Sequence, residues 1–274
     1  MTTSHSAIRE WVPEGVFRLV GPYLGLRIRF AGSFPNWPSA LAHSSGYDTP
    51  EILQRVKAAT LRAATIEGAF ERDGVVLDHA VPPFPLLAAL QRAAAVRGDG
   101  LNVLDFGGSL GSSYHQCRPF LTHLKGLKWI VVEQPEFVRC GKDVFENDVL
   151  KFTLSVDDAV RQGRPDVVLF SAVLQYLEQP TDLLRGVVDV APTMIVVDRT
   201  PVIDLPESRI AVQQVPPRLG KASYPLWLFN RDELLAPTLG RYRVLAEFDA
   251  LDGVMSYGLR RVEFKGFMLD KTNG

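Results

Sequence analysis

A glycine-rich loop between an apolar segment and a helical one constrains this chain more than any other feature. Leu101–Phe106 is short and apolar, and the residues GGSLGSS that follow it lead into a helical segment from Tyr114. Glycines at such a place let the backbone turn tightly and approach a ligand without a Cβ clash. In open α/β sheets, ligands bind outside the carboxyl ends of the strands. The loop therefore predicts a ligand site on an α/β fold.

The pattern of the following residues supports this fold class. Continuous apolar runs, typical of strands buried on both faces, alternate with helical periodicity from residue 101 to residue 198. The predicted strands are Leu101–Phe106, Leu127–Val132, Leu150–Leu154, Val167–Ser171 and Met194–Asp198. The predicted helices are Tyr114–Leu124, Pro135–Asn147, Asp157–Gln162 and Pro180–Val190. Two further strands, Tyr242–Asp249 and Gly258–Leu269, have no helix between them, so we expect a seven-stranded, mostly parallel sheet that ends in an antiparallel hairpin.

The N-terminal third has a different pattern. Two helices are predicted, Pro50–Glu71 and Pro85–Val96, after a loop at residues 31–48 that is rich in Gly, Ser, Pro and Asn. We expect residues 1–98 to form an arm and a helical cap, and residues 99–274 to form the sheet domain that carries the ligand site. The segment Trp11–Phe30 mixes apolar residues with arginines and could lie on a membrane or a partner, but its prolines and glycines favour an arm packed on the body.

Composition excludes some classes of function. The formal net charge is -1, so no overall field favours nucleic acid. The two cysteines, Cys117 and Cys140, form no metal or redox motif and suit a reducing cytoplasm. No secretion signal or transmembrane segment is expected. No carboxylate cluster suggests a metal site, so we expect none, and a homo-oligomer stays open.

Acidic residues at two predicted strand ends indicate which ligand binds. Asp105 precedes the glycines, where it would repel a phosphate and attract the ammonium and sulfonium groups of S-adenosylmethionine. Glu133 follows the next strand, where a carboxylate can accept both hydroxyls of a ribose. The chain also lacks the G-x-x-x-x-G-K-[ST] loop of nucleotidases. These features predict S-adenosylmethionine as the cofactor.

The same segments resemble a known superfamily. D-x-G-x-S-x-G at residues 105–111 is similar to motif I of class I methyltransferases, usually D/E-x-G-x-G-x-G, with Ser109 at the middle glycine. DVVLFSAVLQYL at residues 166–177 resembles the fourth-strand motif, which leads into the active site. A longer similarity, from about Phe34 to Lys265, is to a family of methyltransferase-like proteins whose genes commonly lie among bacterial surface-polysaccharide genes. Its segments are LDFGGSLGSSY, LKWIVVEQPEFVRCGK, SAVLQYLEQP, VDRTP, ASYPLWLFN and EFDALDG.

This resemblance implies a Rossmann-like class I methyltransferase fold and methyl transfer to a sugar of a glycan or its precursor. Together with the strand-end positions, it gives three groups of candidate residues. Those for the cofactor are Asp105, Phe106, Gly107, Gly108, Ser109, Gly111, Ser112, Glu133, Gln134, Asp157 and Ser171. Those for the acceptor are Gln175, Tyr176, Arg199, Tyr224 and His79. The catalytic candidates are His115, Asp198 and Tyr176, since a nearby His or Asp can remove a hydroxyl proton.

Structural explanations compete with several of these assignments. Asp157 is equally suited to cap a helix. Asp198 and Arg199 could form a structural ion pair, and Tyr176 could pack in the core. A nicotinamide-dependent sugar oxidoreductase would need a Tyr-x-x-x-Lys pair, which no candidate tyrosine provides. A methyltransferase for a lipid or natural product, and a non-catalytic cofactor-binding partner protein, stay open.

Overall fold

The structure, a computed structural model, describes residues 28–46, 49–66, 68–77, 82–98, 100–215 and 222–272. The strands in this part of the chain are β1 (Arg29–Phe34), β2 (Phe70–Arg72), β3 (Val75–Leu77), β4 (Leu101–Phe106), β5 (Leu127–Val132), β6 (Leu150–Thr153), β7 (Val167–Ser171), β8 (Met194–Ile203), β9 (Arg209–Val215), β10 (Ala222–Leu228), β11 (Tyr242–Tyr257) and β12 (Arg260–Lys271). The α-helices are α1 (Trp37–Ala42), α2 (Thr49–Ala63), α3 (Phe84–Arg97), α4 (Ser112–Cys117), α5 (Pro135–Val144), α6 (Val156–Gln162), α7 (Pro180–Val190) and α8 (Arg231–Leu235).

Seven strands form the central sheet, in the order β11-β12-β8-β7-β4-β5-β6. The five strands β6, β5, β4, β7 and β8 are parallel to one another. Strand β12 is antiparallel to both of its neighbours, β8 and β11. This confirms the predicted sheet with its antiparallel hairpin, which is the Rossmann-like arrangement of class I methyltransferases. The strand order reverses at β4, because β5 and β6 extend the sheet on one side of it and β7 and β8 on the other. The carboxyl end of β4 therefore borders a crevice where open α/β sheets bind ligands.

Both faces of the central strands are covered. Val103 and Leu169 belong to one buried apolar layer, and their chain neighbours Leu104 and Val168 belong to the layer on the opposite face. Side chains alternate between the faces of a strand, so a strand between two apolar layers has to be apolar throughout. This explains why the sequence pattern predicts these strands well.

The two predicted N-terminal helices pack in different places. Helix α3 buries Leu87 and Leu90 in the apolar layer on one face of the sheet. Helix α2 instead packs on the glycine loop and α5, where Val56, Leu110 and Phe137 are buried together. The predicted division of the chain into residues 1–98 and residues 99–274 stays a prediction.

A second sheet lies beyond the carboxyl edge of the parallel strands. It has the order β1-β9-β10, so β9 (residues 209–215) pairs with β1 near position 30 on one side and with β10 (residues 222–228) on the other. Phe30 and Leu226 from this sheet are buried against Ile203, Val262 and Phe264, which lie on the outer halves of β8 and β12. These outer halves extend past Ser171 at the end of β7, so they form a wall at the edge where ligands bind.

Two expectations for the N-terminal third are wrong. Residues 31–48 contain most of β1 and all of α1, because β1 is stabilised by pairing with β9, which is distant in the chain. The helix expected to run to Glu71 ends at Ala63, and β2 and β3 form a hairpin through the turn at Asp73 and Gly74.

Some expectations concern residues outside the described ranges. Most of the arm Trp11–Phe30, as far as residue 27, and His79 lie there, so their roles stay predictions. Among the helices that the structure describes, none has the length and apolar character needed to cross a bilayer.

Two helical glycines give a matched test of the packing. A Cβ on Gly141 in α5 would lie 2.5 Å from the ring of Phe152, whereas a Cβ on Gly186 in α7 would meet nothing within 4 Å. Gly141→Ala should lower the free energy of unfolding by roughly 1–3 kcal/mol through overpacking. Gly186→Ala should raise it by roughly 0.5–1 kcal/mol because alanine favours the helix. Urea unfolding measures both, and equal effects would contradict the packing of α5 on the sheet.

Candidate functional site

The loop after β4 turns through left-handed backbone conformations. Gly107, Ser109 and Gly111 have φ values of 71°, 55° and 88°. Ser109 adopts this conformation without being a glycine, and its N–H donates to Glu133 Oε1 at 3.2 Å. This hydrogen bond joins the carboxyl ends of β4 and β5.

The protein's own packing requires glycine at two loop positions. A Cβ on Gly107 would lie 2.4 Å from Val173 Cγ2, and a Cβ on Gly108 would lie 2.5 Å from Asp105 Oδ2. The absence of side chains thus lets the loop lie close to the segment after β7 and directly on Asp105. Close approach of a ligand to these glycines stays a prediction.

Asp105 points into the protein. Its exposed fraction is 0%, and Trp129 Nε1 donates to Asp105 Oδ2 at 3.0 Å. The other oxygen, Oδ1, has no hydrogen-bond partner among the described residues. Burial raises the pKa of Asp105 to about 7, which the Trp129 hydrogen bond opposes and the nearby Glu133 charge reinforces. A ligand above the loop could reach this carboxyl group only if the loop moved, so cofactor contact by Asp105 stays a prediction.

Glu133 is better placed to meet a ligand. It is half-buried beyond the end of β5, and its two oxygens accept the N–H groups of Ser109 at 3.2 Å and Gln134 at 2.7 Å. Burial raises the pKa of Glu133, and these two hydrogen bonds lower it. Each carboxylate oxygen has a further lone pair. The group can therefore accept hydrogen bonds from two adjacent hydroxyls.

The remaining cofactor candidates differ in environment. Phe106 packs against Phe170, with ring centroids 5.8 Å apart. Ser171 lies half-buried at the end of β7, opposite Asp198 in the strand register. The side chain of Gln134 is exposed at the start of α5.

Two further cofactor candidates, Asp157 and Ser112, lie in different structural settings. Asp157 is exposed in the first turn of α6, which Ser155 caps, so Asp157 is not the cap that was considered as an alternative. The Ser112 hydroxyl donates to Glu71 Oε2, and Glu71 also accepts the N–H of Gly74 at 2.7 Å. Ser112 thus joins the glycine loop to the β2–β3 hairpin.

Arg199 ties the hairpin to the outer part of the central sheet. Its Nε and Nη2 donate to the two oxygens of Asp252 at 2.8 and 2.9 Å, and Nη2 also donates to Asp73 Oδ2 at 2.5 Å. Burial lowers the pKa of this guanidinium, but Asp73 and Asp252 outweigh it and hold that pKa well above its ordinary value. The structural ion pair considered for Arg199 exists, but its partners are these two residues and not Asp198.

A β-bulge places Arg199 in this position. Val197 pairs with Phe267 and Thr200 pairs with Lys265, so two residues of β8 stand opposite Gly266 alone. Arg199, one of the two, has a φ of 55°. Bulges of this kind redirect side chains at sheet edges.

Asp198 lies beside Arg199 at the carboxyl edge. Its Oδ1 accepts the N–H of Arg199 at 2.8 Å, and its Oδ2 has no hydrogen-bond partner among the described residues. Burial raises the pKa of Asp198, while the charges of Arg199 and Arg72 lower it. Gln175 is close by, since its Nε2 donates to the Arg199 carbonyl at 3.3 Å and its buried Oε1 has no partner in the described parts of the chain.

Tyr176, in the segment after β7, meets Tyr224 of β10 in the second sheet. The rings of Tyr176 and Tyr224 are 5.3 Å apart in an edge-to-face arrangement. Gln213 joins their hydroxyls, accepting from Tyr176 at 3.2 Å and donating to Tyr224 at 2.8 Å. Tyr176 is 37% exposed as a residue, but desolvation of its hydroxyl, with the negative charge of Asp73, raises the pKa of Tyr176 to about 12, so the group stays a neutral phenol near neutral pH. Gln213 was not among the predicted residues, since an isolated glutamine in a strand carries no sequence signal.

His115 has different neighbours from Asp198 and Tyr176. Its ring packs on Tyr114 and Phe145, and Nε2 is buried without a partner among the described residues. Burial lowers the pKa of His115 and the nearby Arg118 lowers it further. No hydrogen bond in the described structure joins it to the other two catalytic candidates.

Three charged residues of the β2–β3 hairpin were missed by the sequence analysis. Glu71 contacts Ser112, and Asp73 contacts Arg199. Arg72, between Glu71 and Asp73 in the chain, is close enough to Arg199 for the charge of Arg199 to lower its pKa. The Asp73-Gly74 pair is a hairpin signal that could have revealed this turn. Across residues 28–46, 49–66, 68–77, 82–98, 100–215 and 222–272, no group of three or more His, Cys, Asp or Glu residues could hold a metal ion.

Comparison with known proteins gives structural similarity only. No family model matches the chain, and no curated protein matches it. The N-terminal domain of EvdMO1 with SAH bound is 18% identical over 83% of this chain and 98% of that chain, with a TM-score of 0.44. A S-adenosylmethionine-dependent methyltransferase from Clostridium acetobutylicum ATCC 824 is 9% identical over 68% of this chain and 91% of that chain, with a TM-score of 0.44. The Burkholderia thailandensis 1,6-didemethyltoxoflavin-N1-methyltransferase is 17% identical over 84% of this chain and 93% of that chain, with a TM-score of 0.39.

The burial of Asp105 predicts a specific pH dependence of stability. Its pKa rises from 3.8 to about 7 on folding, so the folded state holds a proton that the unfolded state releases between those values. Stability should therefore fall as pH rises from about 4 to about 7, by at most about 4 kcal/mol, and then stay level. Asp105→Asn keeps an acceptor for Trp129 and removes this contribution. Its free energy of unfolding, relative to wild type, should rise over the same range.

Urea unfolding at pH values from 4 to 8 measures this difference. Asp148→Asn, which removes an exposed carboxylate just before β6, is the control for loss of one acidic group. A constant difference between Asp105→Asn and wild type over this range would show that Asp105 is charged in the folded protein, contrary to its burial.

Proposed function

We propose that this chain is an S-adenosylmethionine-dependent methyltransferase. The observation that carries the proposal is the position of Glu133, which the Ser109 N–H holds beside the left-handed loop. This is the end of β5 next to β4, where the strand order reverses and ligands bind in such sheets. A carboxylate with free lone pairs there suits the two hydroxyls of a ribose.

The residues around the loop fit an adenosyl cofactor. Glu133 would accept the ribose hydroxyls, and the loop backbone at residues 107–109, left-handed at Gly107 and Ser109, would lie along the ligand. Ser171 and Gln134 border the same crevice. When bound, the cofactor supplies a methyl group that is already activated by its sulfonium. The protein then has to align the acceptor and exclude water.

Asp198 is the group best placed to take a proton from an acceptor hydroxyl. It lies at the carboxyl edge opposite Ser171, and its Oδ2 has no partner among the described residues. Its pKa is raised by burial, and a carboxylate with a raised pKa is a stronger base. His115 packs among aromatic rings, which makes it the weaker candidate.

We propose that the acceptor is a sugar of a glycan or of its precursor. Tyr176 and Tyr224 present aromatic rings, and the Gln213 amide joins their hydroxyls in the same cluster. Rings with polar groups at their edges suit a ligand that has both apolar C–H faces and hydroxyls. The sequence resemblance to methyltransferase-like proteins of polysaccharide gene clusters supports the same class, and the two free cysteines support a cytoplasmic location.

Calorimetry on the purified protein tests cofactor class and site together. S-adenosylmethionine and S-adenosylhomocysteine should bind, and NADH and NADPH should not. Glu133→Gln should weaken both adenosyl ligands by roughly 1–3 kcal/mol, because a charge-assisted hydrogen bond is lost. Asp148→Asn, at the opposite edge of the sheet, should not change their binding. Preference for a dinucleotide would overturn the proposal, and unchanged affinity in Glu133→Gln would remove the site assignment.

A variant of Asp198 tests catalysis separately from cofactor binding. With S-adenosylmethionine and a panel of nucleotide-linked sugars, wild type should release S-adenosylhomocysteine in the presence of the correct acceptor. Asp198→Asn should slow this release by roughly 10²–10⁴-fold, the range for loss of a general base, with cofactor affinity unchanged. Asp148→Asn again serves as the control. A rate within a factor of about two of wild type would exclude Asp198 as the base.

A further inference from the structure

Arg72 is a half-buried arginine that the proposed methyl transfer does not use. Its Nη2 donates to Gln116 Oε1 at 3.5 Å, which is the upper limit for a hydrogen bond, and its guanidinium lies 5.4 Å from the ring centre of Phe70. Within the described residues it forms no ion pair with a carboxylate. A guanidinium has five N–H donors, and in the described parts of the chain only one of them meets a protein acceptor.

The backbone on both sides of Arg72 is anchored. Glu71 accepts hydrogen bonds from the Ser112 hydroxyl and the Gly74 N–H. Asp73 is held by Arg199. Phe70, which is buried, supports one side of the guanidinium. The arginine is therefore held in place before any ligand arrives, which lowers the entropy cost of binding.

The position of Arg72 relates it to the acceptor side of the crevice. The charges that act on it are those of Arg199, Asp252 and Asp198, in the outer part of the central sheet, and of Asp73 in its own hairpin. Arg72 is half-buried, and its chain neighbour Asp73 is bonded to Arg199. Burial and then the charge of Arg199 lower the pKa of Arg72.

The carboxylates near Arg72 form no ion pair with it among the described residues, and each accepts a hydrogen bond from another group. Asp73 and Asp252 both accept hydrogen bonds from Arg199, and Glu71 accepts from the hairpin and α4. Asp198, whose charge also acts on Arg72, accepts the Arg199 N–H through Oδ1. A partly buried guanidinium that is not directly paired with a carboxylate in the described part of the chain is costly, and an incoming oxyanion would relieve this cost. Its planar donor pairs match two oxygens of a phosphate or a carboxylate.

We propose that Arg72 binds an anionic group of the acceptor, so that the sugar to be methylated carries a phosphate or a carboxylate. The identification of that ligand as the methyl acceptor rests on the proposed function. Binding of an oxyanion at Arg72 does not, because it follows from the hairpin geometry alone.

Calorimetry with sugars that differ in charge tests this proposal on the full chain saturated with S-adenosylhomocysteine. Glucose 1-phosphate and glucuronate are the charged probes, and glucose is the neutral one. The charged sugars should bind at least about tenfold more tightly than glucose, the scale of one charge-assisted hydrogen bond. Arg72→Gln should remove that preference. Arg72→Lys keeps the charge without the paired donors and should retain part of it.

Matched controls separate this role from folding and from cofactor binding. Arg185→Gln removes an arginine from an exposed i,i+3 ion pair on α7 and should leave every affinity unchanged. S-adenosylhomocysteine and 5′-methylthioadenosine, which lacks the amino-acid end, are titrated into each variant. Arg72→Gln should bind both as wild type does, which also shows that it is folded.

Three results would overturn the proposal. In the first, wild type binds charged and neutral sugars equally. In the second, Arg72→Gln retains the preference for charged sugars. In the third, Arg72→Gln binds S-adenosylhomocysteine more weakly but 5′-methylthioadenosine normally, so that the arginine serves the carboxylate of the cofactor. If wild type binds no adenosyl ligand, the proposed function fails, and titration with glucose 1-phosphate alone then decides whether Arg72 binds oxyanions.

Discussion

The shape of the ligand crevice depends on a carboxyl group that is buried beneath the glycine loop. Asp105 takes the space that a side chain at position 108 would need, so the loop can pass over it only as a glycine. Trp129 supplies the hydrogen bond that makes burial of this oxygen tolerable. The loop then continues through the left-handed Ser109, whose N–H reaches Glu133. One buried acid thus sets the loop path, and the loop path sets the position of the second acid at the crevice.

Desolvation is shared by the carboxyl groups of this edge. Burial raises the pKa of Asp105, Glu133, Asp198 and Glu71, although each group has at least one hydrogen bond that opposes the shift. Clusters of groups with shifted pKa values are typical of functional sites. The carboxyl groups differ in what their hydrogen bonds leave available. Glu133 and Asp198 keep carboxylate lone pairs that can accept further hydrogen bonds at the carboxyl edge of the sheet.

The N-terminal part of the chain contacts the carboxyl edge of the sheet through a short hairpin. The Arg199 side chain, which is only 13% exposed, forms ion pairs with Asp73 and Asp252. Both partners are far from it in the chain. A paired guanidinium at this depth holds the hairpin against the sheet, since breaking such a pair leaves a buried charge. Arg72 between these anchors has the same chemistry without the same partners. Arg199 is therefore a structural residue, whereas Arg72 is the one that we propose binds an oxyanion.

The sequence by itself determined the central sheet and the strand end that precedes Glu133, whereas the strand expected to end at Asp198 continues as β8 to Ile203. Leu101–Phe106, Leu127–Val132 and Val167–Ser171 have the predicted bounds, because a strand buried on both faces needs an unbroken apolar run that ends at polar or glycine residues. The tertiary structure alone decided that Asp105 turns inward, which partners Arg199 binds, and that β1, β9 and the hairpin surround the site. Those features depend on groups distant in the chain, and local periodicity carries no information about a partner that only folding brings near.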